Sequence, residues 1–223
     1  MFFVLCLSYL YVQSVDGSNQ ESSLKNYSMN NTIDLCCRWD EQISDGVLKY
    51  KLINIHGKLQ DVVREAFGNW NKQLVKLQLV EVSSKQSDQK AEIVISVGDI
   101  PNSNPNQLAK NTEAGLTAGQ SVNNLDKDGF ITNATILLSN ELPNTGSDSN
   151  PLLGVISHEI GHALGLGHAN FDDLMDPVVT GDTEEVSICD VKGVVYTNEL
   201  SLEEEVMSTF HANLDKGSFI SCQ

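Results

Sequence analysis

The fold this sequence predicts is an α+β domain. Two long segments place apolar residues at helical steps of three and four, or run apolar over helical length. Five short segments alternate, or run apolar for a few residues, between clusters of Gly, Asn, Asp and Pro, as strands do. Their order is strand, helix, four strands, helix, irregular segment, helix, which lacks the strict alternation of a doubly wound α/β fold.

Residues 15–35 are polar and rich in Ser and Asn, and read as a flexible lead-in. In "DGVLKYKLI", Leu48, Tyr50 and Leu52 alternate with Lys49 and Lys51, which predicts a half-buried strand. "GKLQDVVREAFGNWNKQL" puts Leu59, Val62, Val63, Ala66, Phe67, Trp70 and Leu74 on one face of a long helix. "LQLVEV" and "AEIVISV" follow as strands, and residues 98–113 read as loop. "GLTAGQSV" and "FITNATILL" predict two more strands, joined by the turn "NNLDKDG". "LPNTGSDSNP" is loop again, and a second helix is expected from Leu152 to about Gly165. Near the end, Ser201 and Glu204 form a capping box for a third helix, "LEEEVMSTFHANL".

The 223 residues suit one domain with short tails, and 40% hydrophobic content is enough for a core. A net charge of −16 argues against nucleic acid as a partner, because phosphate binding wants a basic face. Phe2 to Val12 is apolar apart from Ser8, too short to span a bilayer and suited to a secretory signal cut near Val12-Gln13-Ser14. Residues 1–17 are therefore read as a signal and 18–35 as the lead-in. The mature protein is expected to be secreted, with an N-terminal membrane anchor if the signal is uncleaved, and otherwise without a membrane span. Sequons at Asn26, Asn30 and Asn133 agree with export. Of five cysteines, Cys6 lies in the signal. That leaves Cys36, Cys37, Cys189 and Cys222, an even number that suits two disulfides. A bond between adjacent cysteines needs a strained geometry. Cys36 and Cys37 are therefore expected to pair with Cys189 and Cys222.

Three of the five histidines fall within "HEIGHALGLGHANFDDLMDP". His158 and His162 are four apart, so on a helix both imidazoles face one ion. His168 supplies a third ligand only if the chain turns after His162. Gly165 is placed for that turn, and Gly167 adds slack. Three histidines leave a fourth position open, which is a catalytic rather than a structural zinc pattern. Glu159 follows His158 directly and is placed to take a proton from water at that open position. With this chain's own composition, the five fixed positions match by chance roughly once in a hundred thousand such chains.

This stretch resembles the metzincin zinc metallopeptidases, whose signature is H-E-x-x-H-x-x-G-x-x-H followed by a methionine turn. His158, Glu159, His162, Gly165 and His168 match it, and "DLMDP" supplies Met175. Within that class the matrixins are the branch it is most similar to, with agreement in element order from about residue 38 to 215. The resemblance implies a twisted mixed sheet of about five strands, two long helices, a zinc cleft, a methionine turn and a C-terminal helix, with residues 36–223 as the catalytic domain. It implies a monomeric zinc endopeptidase acting on protein or peptide substrates. Met175 would form an apolar floor under the zinc, and Asp176 to about Tyr196 would line a specificity pocket. The strand Ala114–Gln120, with Gly115, Leu116, Thr117 and Ala118, would pair with extended substrate. Ala169 stands where matrixins usually carry serine, and residues 15–35 hold no latency-cysteine motif. For "NNLDKDGFITNAT" two readings stay open: a calcium loop on Asn124, Asp126 and Asp128, or a plain polar hairpin turn. The competing function is a catalytically silent metal-binding or adhesive module with the same fold. Glu159 argues against it, since metal binding alone needs no general base.

Overall fold

The alternation in "VLKYKLI" and the helical period that follows it build the centre of the molecule. The computed structural model describes residues 31–83, 90–100, 118–140, 150–177, 185–200 and 219–222. Its strands are β1 (Thr32–Leu35), β2 (Arg38–Trp39), β3 (Val47–Ile53), β4 (Gln78–Glu81), β5 (Ile93–Gly98), β6 (Gly119–Leu125), β7 (Phe130–Ser139), β8 (Leu166–Ala169) and β9 (Phe219–Ser221). The helices among the described residues are α1 (Lys58–Gln73), α2 (Asn150–Ala163), α3 (Ile188–Thr197) and a short 3-10 turn, Glu41–Ile43.

The larger sheet runs β2-β7-β5-β3-β4, with β6 added on β7, so it has six strands where five were expected. All its pairings are parallel except β6 with β7, which form an antiparallel hairpin across residues 126–129. Leu48, Tyr50 and Leu52 turn inward from β3. On α1, the face predicted from spacing is buried at Val62, Val63, Ala66, Phe67 and Trp70. Phe67 stacks flat on Tyr50, with ring centroids 3.6 Å apart, and joins α1 to the sheet. The Trp70 indole N–H donates to the Ser157 carbonyl at 2.9 Å and ties α1 to α2.

A second, three-stranded sheet, β8-β1-β9, was not foreseen. Its β1 strand occupies the last four residues of the expected flexible lead-in, with Ile33 fully buried. It pairs with β8 on one side and β9 on the other, so residues near both ends of the chain meet beside the histidine motif.

Three further expectations need correction. The segment after the methionine turn was read as irregular, but from Ile188 it is helix α3. Ser187 and Asp190 make a reciprocal capping box at its start. The cysteine pairing also differs. Cys189 is bonded to Cys222, Cα–Cα 5.6 Å, which ties α3 to the end of β9. Cys36 and Cys37 lie instead against each other, Sγ to Sγ 2.7 Å. Finally, Gly167 is not slack. It sits in β8 against β1, where a Cβ would come 2.7 Å from Cβ of Asp34. The signal segment, the helix expected from Ser201 and the strand residues Gly115, Leu116 and Thr117 lie outside the described residues. No helix among the described residues is long and apolar enough to cross a membrane.

Candidate metal centre

Helix α2 carries His158, Glu159 and His162 into the interior, and all three are buried. Its end is tied down by side chains from three other parts of the chain. The Trp39 indole donates to the Ala163 carbonyl (3.0 Å), the Asn198 amide to Leu164 (2.9 Å) and the Asn123 amide to His162 (2.7 Å). These are carbonyls that a helix terminus leaves without an intrahelical donor. The chain then reverses at Gly165, whose φ of 101° is open to glycine and strained for other residues. That reversal starts β8 and brings His168 back toward the helix, as the spacing predicted.

The three imidazoles converge. Their ring centroids are 4.5, 4.9 and 5.5 Å apart, and one ligand nitrogen from each lies within 4.8 Å of the others. Nδ1 of His158 meets the Leu174 carbonyl at 2.7 Å, and Nδ1 of His162 meets the Leu166 carbonyl at 2.8 Å. A carbonyl can only accept, so Nδ1 carries the proton in both rings and Nε2 is left as a lone-pair donor. The Nε2 atoms of all three histidines are buried without a protein hydrogen-bond partner. Burial pushes His158 well below the usual imidazole range, with the charge of His162 adding to it. Burial and His168 take His162 down to about 3. Burial also lowers His168, opposed by Asp34 and Asp176. Neutral imidazoles with converging lone pairs are the donor set that zinc requires.

Met175 lies in the turn after His168. It is fully buried, and its carbonyl accepts from Ala169 N–H at 2.7 Å. Its sulfur packs on Gly161 of the ligand helix. The preceding residue, Leu174, supplies the carbonyl that orients His158, so the turn sets the tautomer of that imidazole. The aspartate Asp173 accepts from the Ser187 hydroxyl at 2.9 Å and links this turn to α3.

The Glu159 carboxylate lies against Gly119, the first residue of β6. Burial holds its carboxyl well above the ordinary glutamate range, opposed in part by the Ser121 backbone N–H. Of the suggested substrate strand, Ala118 is described: it is buried, and its carbonyl accepts from Ser139 N–H at 3.0 Å.

The 126–129 hairpin turn uses its polar groups internally. Asp126 Oδ1 accepts from the backbone N–H of Asp128 and of Phe130, both at 2.9 Å, and these bonds hold it below the usual carboxylate range. Asp128 pairs with Lys127, and the Asn124 amide donates to Asn133 at 2.7 Å. These are the bonds of a polar hairpin turn. From Ile188 onward the segment suggested to line a specificity pocket is the helix α3. There α3 packs on β1 and β8, and Tyr196 lines a cavity with Leu35, Cys36 and Cys37. Sequence reasoning missed Trp39, Asn123 and Asn198; nothing in their local pattern marks them, because each acts across a long chain separation.

A three-histidine cluster on a helix–turn–strand, followed by a buried methionine turn in a domain with a mixed sheet, is the arrangement of a metzincin. Within that class the family described as Matrixin matches residues 38–197, and the chain belongs to it. Among solved structures, that of myroilysin is similar in part, at 11% identity and a TM-score of 0.46, over 77% of this chain and all of the other. A search of curated proteins finds no match to the chain.

Proposed function

We propose that this protein is an exported zinc endopeptidase that hydrolyses peptide bonds within extended protein or peptide substrates. His158, His162 and His168 would hold the metal. When bound there, zinc supplies a Lewis acid that polarises the scissile carbonyl and acidifies water. The observation that carries the reading is Glu159. It follows the first ligand, it is buried, and burial raises its proton affinity, as suits a general base. Glu159 takes a proton from the attacking water and passes it to the departing amine. A silent binding module would have no use for a buried carboxylate at this place.

Substrate is held by the edge of the sheet. Among the described strands β6 pairs with β7 alone, which leaves its other edge for an added strand. The segment leading into it, Ala114 to Gln120, has small side chains that let a peptide backbone approach. Export is supported by the apolar N-terminal run and by the Cys189–Cys222 bond. The test is metal analysis of the purified protein beside cleavage of a proteome-derived peptide library. One zinc per chain with internal cleavage of peptides supports the reading. Bound zinc with no cleavage of any peptide points to the silent module.

A further inference from the structure

We propose that Cys36 and Cys37 are a modification site: they form a reversible disulfide with each other, and that bond tightens the turn carrying the third histidine. Four observations lead to this. First, Cys189 and Cys222 are bonded to one another and so do not serve as partners. Second, the Cys36 and Cys37 sulfurs lie 2.7 Å apart. That is inside the ~3.5–4.0 Å of ordinary non-bonded contact and approaches the about 2.05 Å of a sulfur–sulfur bond. Third, both residues are half-buried and line a cavity of about 310 Å³, together with Leu35, Arg38, Tyr196 and Thr197, through which a small reagent can reach them. Fourth, the pair is built onto the turn between His162 and His168. Cys36 N–H donates to the Gly165 carbonyl at 2.9 Å, and the Cys37 carbonyl lies against the Gly165 Cα. The Asn123 amide donates both to the His162 carbonyl (2.7 Å) and toward Cys37 Sγ (3.4 Å).

The oxidant is a low-molecular-weight disulfide of the thiol pool. One cysteine thiolate attacks it, releases one small thiolate and leaves a mixed disulfide. The neighbouring thiolate then attacks the bonded cysteine sulfur and releases the second small thiolate. The two electrons of the new bond's formation reduce the small disulfide, and the two cysteine protons go to its thiolates. Adjacent Cα atoms are about 3.8 Å apart, closer than the 4.4–6.8 Å usual for disulfides, so the bond is strained and readily reduced. Cys189–Cys222 joins α3 to β9 with a Cα separation inside the usual range. The site therefore responds to mild reductant before the structural bond does. Its effect on the turn rests on the zinc reading above; the bond itself does not.

The full-length protein tests both parts. Alkylation without reduction, followed by trypsin, yields the peptide from residue 26 to Arg38, which carries both cysteines and no other. Expected is a peptide that resists alkylation, is two hydrogens lighter than the dithiol, and takes two labels after mild reduction. Two labels before reduction, or a crosslink to any other peptide, would overturn the site. Zinc retention is then read by competition with a chelator in mild dithiol and without it. Retention should fall about tenfold on reduction, in the range seen when groups behind metal ligands are altered. The Cys36→Ser/Cys37→Ser variant, which keeps Cys189–Cys222, should show no dependence on reductant. If parent and variant respond alike, the coupling to the turn is wrong, whatever the peptide shows.

Discussion

Gly119 lies directly against Glu159: a methyl group on Gly119 would stand 2.8 Å from Cγ and 2.9 Å from Oε1 of the glutamate. The first residue of β6 thus forms the wall that fixes the proposed base. Gly119→Ala should push the carboxylate aside while leaving all three histidines in place. A displacement of the order of an ångström costs about 10²-fold in rate, so kcat/KM should fall by that order with zinc content unchanged. Steady-state kinetics beside metal analysis checks this. Full activity in the alanine variant would mean that Glu159 is not held by β6.

Gly161 and Met175 make a second such pair, since any side chain at 161 would run into the methionine sulfur. Gly161→Ala should destabilise by about 1–3 kcal/mol through overpacking. Met175→Ala should cost about 2–5 kcal/mol through the cavity it opens. The double variant should be more stable than the sum of the two losses predicts, because each change relieves the other. Denaturant unfolding of the four proteins at one fixed zinc level gives the coupling. Strict additivity would show that the two residues do not touch.

Asp190 sets a pH dependence. Burial, and then the neighbouring Asp173, raise its carboxyl to about 7 from an ordinary 3.8. The folded state therefore binds this proton more tightly than the unfolded chain. Its stabilising contribution is complete below pH 4 and is lost as pH rises toward 7. Asp190→Asn should remove that loss, which is on the order of 4 kcal/mol for a shift of this size. The variant should thus gain on the parent as pH goes from 4 to 8, measured by unfolding with zinc absent from both. Parallel stability profiles would contradict this.

The helix α1 and the strand β3 were legible because each has one face in water and one in the core, which writes the period into the residues. The convergence of His158, His162 and His168 was legible because their spacing sets them on one helix and one turn. The second sheet was not, since its strands are three or four residues long and pair Thr32 with Ser221. Nothing local announces a contact across the whole chain. Helix α3 could have been found: Ser187 and Asp190 stand at capping-box spacing before Val191, Val194 and Val195. The resemblance drew attention instead to a pocket there. The cysteine pairing was misread for a physical reason. Strain disfavours a bond between neighbours, yet Cys189 and Cys222 pair with each other and leave Cys36 and Cys37 in contact.

The central claim is that Glu159 moves the proton in a zinc-dependent peptide hydrolysis. The most direct measurement compares Glu159→Gln with the parent for zinc stoichiometry and for cleavage of the same peptide. The amide nearly matches the carboxylate in shape but cannot accept the proton, and the proposed ligands His158, His162 and His168 are untouched. The variant should bind zinc as the parent does and cleave on the order of 10²–10⁴-fold more slowly or not at all. A Glu159→Gln protein that holds zinc and cleaves at the parent rate would contradict the mechanism.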